Sequence, residues 1–198
     1  MDEMKVLTMQ ALNIGPSAAL RATTTALLLF CGSAFAADET ITAQAERQGE
    51  KTVIDLTARV AAPIADTWAV LVDFEHMPQF TNTVKVSTVK LLEPNRLELT
   101  QTSESRVGLF SAQVASVRLA ELTPQREIHL SLISGDFKAY DSSTRFSEEP
   151  GGTLVTYHGE YVSSKWVPPF VTANLIADQT RKFYSELVAE VRKRRGKN

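Results

Sequence analysis

Apolar and polar residues alternate along most of the chain, as in strands that bury one face. The first such run places four apolar residues on one face: Ile54, Leu56, Ala58 and Val60. Six further runs follow, separated by turn-forming residues, of which Glu149-Pro150-Gly151-Gly152 is the clearest example. Because each run follows the last through a short turn, the sequence predicts an antiparallel sheet of seven strands.

Two short helices are predicted directly after the first strand. Ala62-Pro63 ends that strand, and proline is favoured at the start of a helix because it needs no hydrogen-bond donor there. Three apolar residues then follow at helical spacing: Trp68, Leu71 and Val72. A second short helix or turn after Asp73 carries large apolar groups: Phe74, Met77, Pro78 and Phe80.

The last element is predicted to be a long helix that covers the sheet. Trp166-Val167-Pro168-Pro169 ends the seventh strand, and from about Phe170 to Arg194 the apolar period becomes helical. One stripe of this helix contains Ile176, Thr180, Phe183, Leu187 and Val191. The apolar residues of the stripe must pack against the sheet, so the fold class is α+β.

The segment formed by the first predicted strand and the two short helices resembles the N-terminal segment of a known superfamily. The residues that carry this resemblance are Val60-Ala61-Ala62-Pro63, Trp68, Asp73, Pro78 and Phe80. In this order they resemble the START-like (SRPBCC) superfamily, and most of all its polyketide cyclase/dehydrase and coenzyme Q-binding branches. The resemblance covers about residues 52–194. It implies the helix-grip fold, in which a curved antiparallel sheet wraps around a long C-terminal helix and a ligand cavity often lies between them.

The N-terminal segment has the features of a signal peptide. Lys5 and Arg21 precede a short apolar run at 26–30, and Ala34-Phe35-Ala36 fits a small-x-small cleavage site. The run is shorter than the ~20 residues that span a bilayer. We therefore expect cleavage before Ala37 and a periplasmic or secreted protein.

Two alternatives for this segment stay open: a lipoprotein anchored through Cys31, the single cysteine, and an N-terminal helix that is retained. The predicted organisation is a signal peptide at 1–36, a flexible lead-in at 37–51, a START-like domain at 52–195 and a tail at 196–198.

Charge and motifs exclude several classes of function. The formal net charge of -2 gives no reason to expect a nucleic acid as partner. His76, His129 and His158 are far apart in sequence and show no metal-ligand spacing, so no metal is expected. The sequence has neither a glycine-rich phosphate loop nor a serine nucleophile elbow. We therefore predict no cofactor and assign no catalytic residue.

The candidate site residues are apolar or aromatic. Those expected to line a cavity between sheet and helix are Phe110, Val114, Leu130, Leu132, Phe146, Tyr157, Tyr161, Ile176 and Phe183. Those expected at its mouth are Phe74, Met77, Phe80, Trp166 and Phe170. Three arginines could reach a polar headgroup, although exposure is expected for each: Arg106, Arg118 and Arg145.

These residues predict that the domain binds a hydrophobic small molecule, such as a lipid or a quinone. A polyketide cyclase or aromatase that uses the same cavity is one alternative, and a protein-interaction module with a solid core is another. The basic run at 192–197 suits a helix C-terminus and also suits contact with an anionic membrane surface.

Overall fold

The computed structural model describes residues 39–107 and 110–197, with side chains for all of these except 105–107 and 110. The predicted signal peptide lies outside the described residues. Within them the chain forms one antiparallel sheet of eight strands: β1 (Ile41–Gln48), β2 (Lys51–Val60), β3 (Val84–Glu93), β4 (Arg96–Val107), β5 (Phe110–Thr123), β6 (Glu127–Gly135), β7 (Phe137–Glu149) and β8 (Gly152–Ser163).

The order of the strands is β1-β2-β8-β7-β6-β5-β4-β3. Strands β3 to β8 form a meander in which each strand pairs with the next, as predicted. Strand β2 instead pairs with β8, and the segment after β2 carries the chain to β3 at the other edge of the sheet.

The prediction of a flexible lead-in at 37–51 was wrong, because Ile41–Gln48 forms strand β1 and pairs with β2. Residues at alternate positions of this strand are half-buried, and Ile41 and Ala43 pack against the core. Side chains at the intervening positions are polar and exposed, as suits an edge strand. This extra strand raises the count from the predicted seven to eight.

The helices occur where the sequence predicts them. Pro63 caps helix α1 (Ile64–Leu71), and a 3-10 turn (Phe74–His76) leads into the single-turn α2 (Met77–Phe80). The long helix α3 (Ala173–Arg195) begins after Thr172, whose hydroxyl accepts a hydrogen bond from the Leu175 amide at 3.3 Å. No helix among the described residues is long and apolar enough to cross a membrane.

Helix α3 packs its apolar stripe into the main core. The helix residues of this cluster are Tyr184, Leu187, Val188 and Val191. The sheet contributes side chains from most of its strands, among them Leu56, Leu99, Ile128, Phe146 and Val155. At about 1.5–3 kcal/mol for each fully buried aliphatic side chain, this contact makes α3 part of the fold rather than an appendage.

An ionic cluster fixes the C-terminal end of α3 to the short helices. The Arg194 guanidinium donates to Asp73 at 2.7 Å and to Glu190 at 3.0 Å. The same guanidinium lies over the Phe80 ring, 5.2 Å from its centroid. Arg194 therefore joins α3 to the segment that follows α1 through both charge and ring contact.

Both carboxyl groups of this cluster have lowered pKa values. Burial raises the pKa of Asp73, but hydrogen bonds from His76 and Arg194 outweigh it and leave the pKa below its ordinary 3.8. Burial likewise raises the pKa of Glu190, and hydrogen bonds from Lys193 and Arg194 leave it below 4.5. A carboxyl whose pKa is lower in the folded state stabilises the fold above its unfolded pKa. That stabilisation is lost as the pH falls through the folded value.

We expect the cost of an Arg194→Met substitution to depend on pH. Above about pH 5 both carboxylates are charged, and the loss of their shared cation should lower the free energy of unfolding. Below about pH 4 the carboxyls take up protons, and the difference between variant and wild type should shrink. Urea denaturation at a series of pH values measures both quantities.

Arg181→Met is the matched control, because Arg181 pairs with Asp178 on an exposed part of the same helix. Exposed ion pairs contribute about 0–1 kcal/mol, so this variant should stay close to wild type at every pH. If the cost of Arg194→Met were equal at pH 7 and pH 3, the contact with Phe80 alone would account for the role of Arg194.

Candidate functional site

A cavity of about 260 Å³ lies between the sheet and α3. The short helical segment between β2 and β3 supplies part of its wall, β3 to β8 supply the sheet side, and α3 supplies the opposite side. Nine apolar side chains line it: Leu71, Phe74, Met77, Val84, Leu99, Ile128, Leu130, Phe183 and Leu187. The wall is therefore mainly aliphatic and aromatic.

One cluster of polar residues in the wall is centred on Arg118 in β5. The guanidinium donates one hydrogen bond to Gln101 Oε1 and another, at 3.3 Å, to the Tyr140 hydroxyl. It also lies over the Tyr140 ring, 5.1 Å from the centroid. Gln101 is buried and donates to Ser87 Oγ at 3.0 Å. These contacts fix the position of the Arg118 side chain at the wall.

Two tyrosines form a second polar cluster, the half-buried Tyr157 on β8 and the buried Tyr184 on α3. The rings of Tyr157 and Tyr184 are 5.7 Å apart, and the Tyr184 hydroxyl lies 3.3 Å from Thr144 Oγ1. Burial raises the pKa of Tyr157 well above 10.0, and Tyr140 and Tyr184 raise it further. Burial also raises the pKa of Tyr184, although its hydrogen bond with Thr144 opposes this. Both phenols therefore stay protonated at neutral pH and can donate hydrogen bonds.

The Tyr157 ring lies directly over Gly159. A β-carbon at position 159 would be 2.1 Å from the Tyr157 hydroxyl oxygen and 2.6 Å from Cζ. Glycine is therefore required at this position for the ring to reach the cavity wall. Gly159 thus makes room for an aromatic side chain within its own strand.

The structure places some of the predicted residues at the cavity and not others. Of those predicted to line it, Leu130, Tyr157 and Phe183 do so. Phe74 and Met77 were predicted at the mouth, but both are buried in the wall. Their position follows from the 3-10 turn, which directs Phe74 into the core instead of towards solvent.

Several predicted cavity residues lie elsewhere. Phe146 packs edge-on against Trp68 at 5.2 Å, and Tyr161 packs against Phe137 at 5.5 Å. Val114, Leu132 and Ile176 are half-buried and outside the wall, which on α3 begins at Gln179. The side chain of Phe110 lies outside the described part of the structure. Alternation assigns each residue to a face, but it does not say how far along that face the cavity extends.

The other three residues predicted at the mouth of the cavity also lie elsewhere. Phe80 packs beneath Arg194 rather than at the cavity, and Trp166 and Phe170 are 78% and 53% exposed. Neither of these two exposed aromatics lines the cavity, because the loop between β8 and α3 carries them at the surface.

Sequence reasoning missed several polar residues of the wall, among them Gln101, Tyr140, Thr144 and Tyr184. It also expected Arg118 to be exposed, whereas this residue is half-buried and its Nε is fully buried. A signal was present, because Arg118 is in phase with Ala120, which belongs to the core, and with Leu122, which packs against it. Gln101 likewise continues the phase of Leu99.

The histidine side chains are exposed and contact carboxyl groups. His129 contacts Asp141 at 2.9 Å, and His158 contacts Asp55 at 2.7 Å. Across residues 39–107 and 110–197, no group of three or more histidine, cysteine, aspartate or glutamate side chains could hold a metal ion.

Comparison with models of protein families shows which family the chain belongs to. The profile of the family described as "Polyketide cyclase / dehydrase and lipid transport" matches residues 51–194, which is most of the sequence. The chain belongs to this family. The resemblance to the polyketide cyclase/dehydrase branch of the START-like superfamily is thereby confirmed, while the coenzyme Q-binding branch remains a prediction. A search of curated proteins finds no match.

Solved structures show the same fold for this member of the polyketide cyclase/dehydrase and lipid transport family. The STAR-related lipid transfer protein from Xanthomonas axonopodis is 11% identical, with a TM-score of 0.62 over 77% of this chain and 93% of that one. The protein TTHA0849 from Thermus thermophilus is 18% identical, with a TM-score of 0.60 over 70% and 96% of the two chains. The ZhuI aromatase/cyclase from Streptomyces sp. R1128 is 12% identical, with a TM-score of 0.55 over 73% and 95%.

These identities are low enough that the likenesses establish the fold alone. The eight-stranded sheet with its C-terminal helix is thus the helix-grip, START-like fold, as predicted apart from the additional strand β1.

Proposed function

We propose that this domain binds a hydrophobic small molecule, a lipid or a quinone, in the cavity between the sheet and α3. The observation that supports the proposal is the wall itself, in which nine apolar side chains surround about 260 Å³. Small-molecule sites combine this kind of apolar surface with a few polar groups that orient the ligand. The burial of apolar ligand surface drives such binding, at about 25 cal/mol per Å².

The volume limits the size of the buried part of the ligand. An engineered cavity of about 150 Å³ accepts benzene, and a water-sized group takes up about 30 Å³ in a liquid. At about 25–30 Å³ for each non-hydrogen atom, 260 Å³ holds roughly nine or ten such atoms. An acyl chain of about ten carbons, or a pair of small rings, fits this limit.

The polar groups at the wall favour binding over catalysis. A cyclase needs a group that takes up a proton, and a phenol whose pKa is raised by burial is a poor base at neutral pH. Tyr157 and Tyr184 are phenols of this kind. The remaining polar groups of the wall are neutral side chains and Arg118, which is permanently protonated.

We expect a Leu130→Trp substitution to weaken binding of naphthalene, a neutral fluorescent probe of two small rings, by at least about tenfold. The indole would occupy volume that the probe needs, because Leu130 lines the cavity. Fluorescence titration of wild type and variant measures the two dissociation constants. Thermal melts of both proteins show whether the variant is folded.

Ile133→Trp is the control, because Ile133 is 50% exposed and belongs to the opposite face of the same strand. It should bind the probe as wild type does. Saturable binding that Leu130→Trp leaves unchanged would contradict the proposal. Mass analysis of ligands recovered from the protein tests the cyclase alternative, which predicts a dehydrated or cyclised product.

A further inference from the structure

Arg118 is the charged side chain of the cavity wall among the described residues, and its charge has no partner there. The remaining wall residues in that part of the chain are neutral. No carboxylate of the described residues forms an ion pair with Arg118, and its buried Nε has no hydrogen-bond acceptor. Since a cation withdrawn from water is costly unless it is paired, a group that compensates this charge should bind well here.

The surroundings of Arg118 orient it without neutralising it. A guanidinium has five N–H donors, and Gln101 and Tyr140 accept from two of its nitrogens. The Tyr140 ring beneath the guanidinium and the Tyr140 hydroxyl, which contacts Ser142 Oγ at 3.1 Å, restrict its movement. An arginine held in this way loses little conformational freedom when it binds a ligand.

Apolar residues lie beside this cation on both neighbouring strands. Arg118 pairs across the sheet with Leu99, which is fully buried in the wall, and on the other side with Leu132, which is half-buried outside the wall. Tyr157 and Tyr184, which also line the cavity, are protonated phenols that can donate to an oxygen atom. The cavity wall thus combines one cation and two hydroxyl donors with nine apolar side chains.

We propose that the ligand is an amphipathic monoanion, an apolar chain or ring system with one carboxylate, and that Arg118 binds this carboxylate. The inference rests on the proposed function, because it assumes that the cavity binds an apolar molecule. A carboxylate matches the planar guanidinium with two parallel hydrogen bonds. A cationic amphiphile of the same size would face an uncompensated positive charge and is excluded.

Three probes that share a ten-carbon chain test this proposal: decanoate, 1-decanol and decylamine. At pH 7.5 the full-length protein should bind decanoate about 10- to 100-fold more tightly than decanol, and decylamine most weakly. The Arg118→Met variant should lose the preference for decanoate while it binds decanol within about twofold of wild type. Competition with naphthalene measures all three affinities.

Arg145→Met is the matched control, because Arg145 is an exposed arginine of β7 and should leave all three affinities unchanged. Arg118→Lys keeps the charge and loses the planar pair of donors, so an intermediate preference is expected. It also serves as the second variant if Arg118→Met does not fold.

Decanoate and decanol bound equally by wild type, a preference for decanoate that survives in Arg118→Met, or an undiminished preference in Arg118→Lys would overturn the inference and leave the proposed function intact. Failure of all three probes and of the fluorescent probe to bind would instead refute the proposed function.

Discussion

A Leu187→Asp variant is expected to lose its cooperative thermal unfolding transition. Leu187 is 2% exposed on α3 and packs in the main core at the edge of the cavity. An aspartate there would bury a carboxylate without a cation one helical turn away, because the residues at those positions are Phe183 and Val191. The cost of several kcal/mol is a large share of the 5–15 kcal/mol that stabilise a typical domain. Circular dichroism during a thermal melt measures the effect.

Ser185→Asp is the control for this prediction, because Ser185 is exposed on the same helix and the added charge stays in water. It should melt within a few degrees of wild type. A Leu187→Asp protein that melts cooperatively at the wild-type temperature would mean that α3 is not an integral part of the core.

A Gly159→Ala variant is expected to destabilise the domain by about 1–3 kcal/mol and to weaken probe binding. In a strand, this change normally costs nothing, because alanine restricts the unfolded chain more than glycine does. Here the new methyl group would overlap the Tyr157 ring, and the ring would have to leave its place in the cavity wall. Urea denaturation and titration with the neutral probe measure the two effects.

A second substitution tests this explanation. In a Tyr157→Leu background the ring is absent, so the further change Gly159→Ala should cost much less than it does in wild type. The double-mutant cycle then gives a coupling free energy of about 1 kcal/mol or more. Equal costs in the two backgrounds would show that the overlap with Tyr157 is not the cause.

The strands and helices could be predicted because their patterns are long and regular. Strand β8 and helix α3 show the contrast well, since the apolar period changes from two to nearly four between them. Strand β1 escaped prediction because the inward residues after Ile41 are the small alanines Ala43 and Ala45. Their pairing with β2, rather than their hydrophobicity, makes this segment a strand.

The site was harder to predict than the fold. Leu130, Tyr157 and Phe183 were identified because large inward residues are good candidates for any cavity wall. Phe146 met the same criterion, yet it packs against Trp68, and this contact between distant segments leaves no trace in local periodicity. Arg118 was assigned to the surface because charged residues usually lie there. Its hydrogen bonds to Gln101 and Tyr140 depend on strands that come together only in the folded sheet.

The pairing of β2 with β8 has a consequence for how the domain folds. It joins Lys51 to Val162 and Val60 to Thr153, near opposite ends of the domain, and such distant contacts form slowly. As the chain emerges from the ribosome, the hairpins between successive strands from β3 to β7 can form early. Strand β2 can pair only after β8 has been made, and α3 is made last. Because β8 and α3 line the cavity together with the earlier strands, the cavity is complete only when these last elements have packed. A ligand that binds only the closed form would favour this final step and slow its reversal.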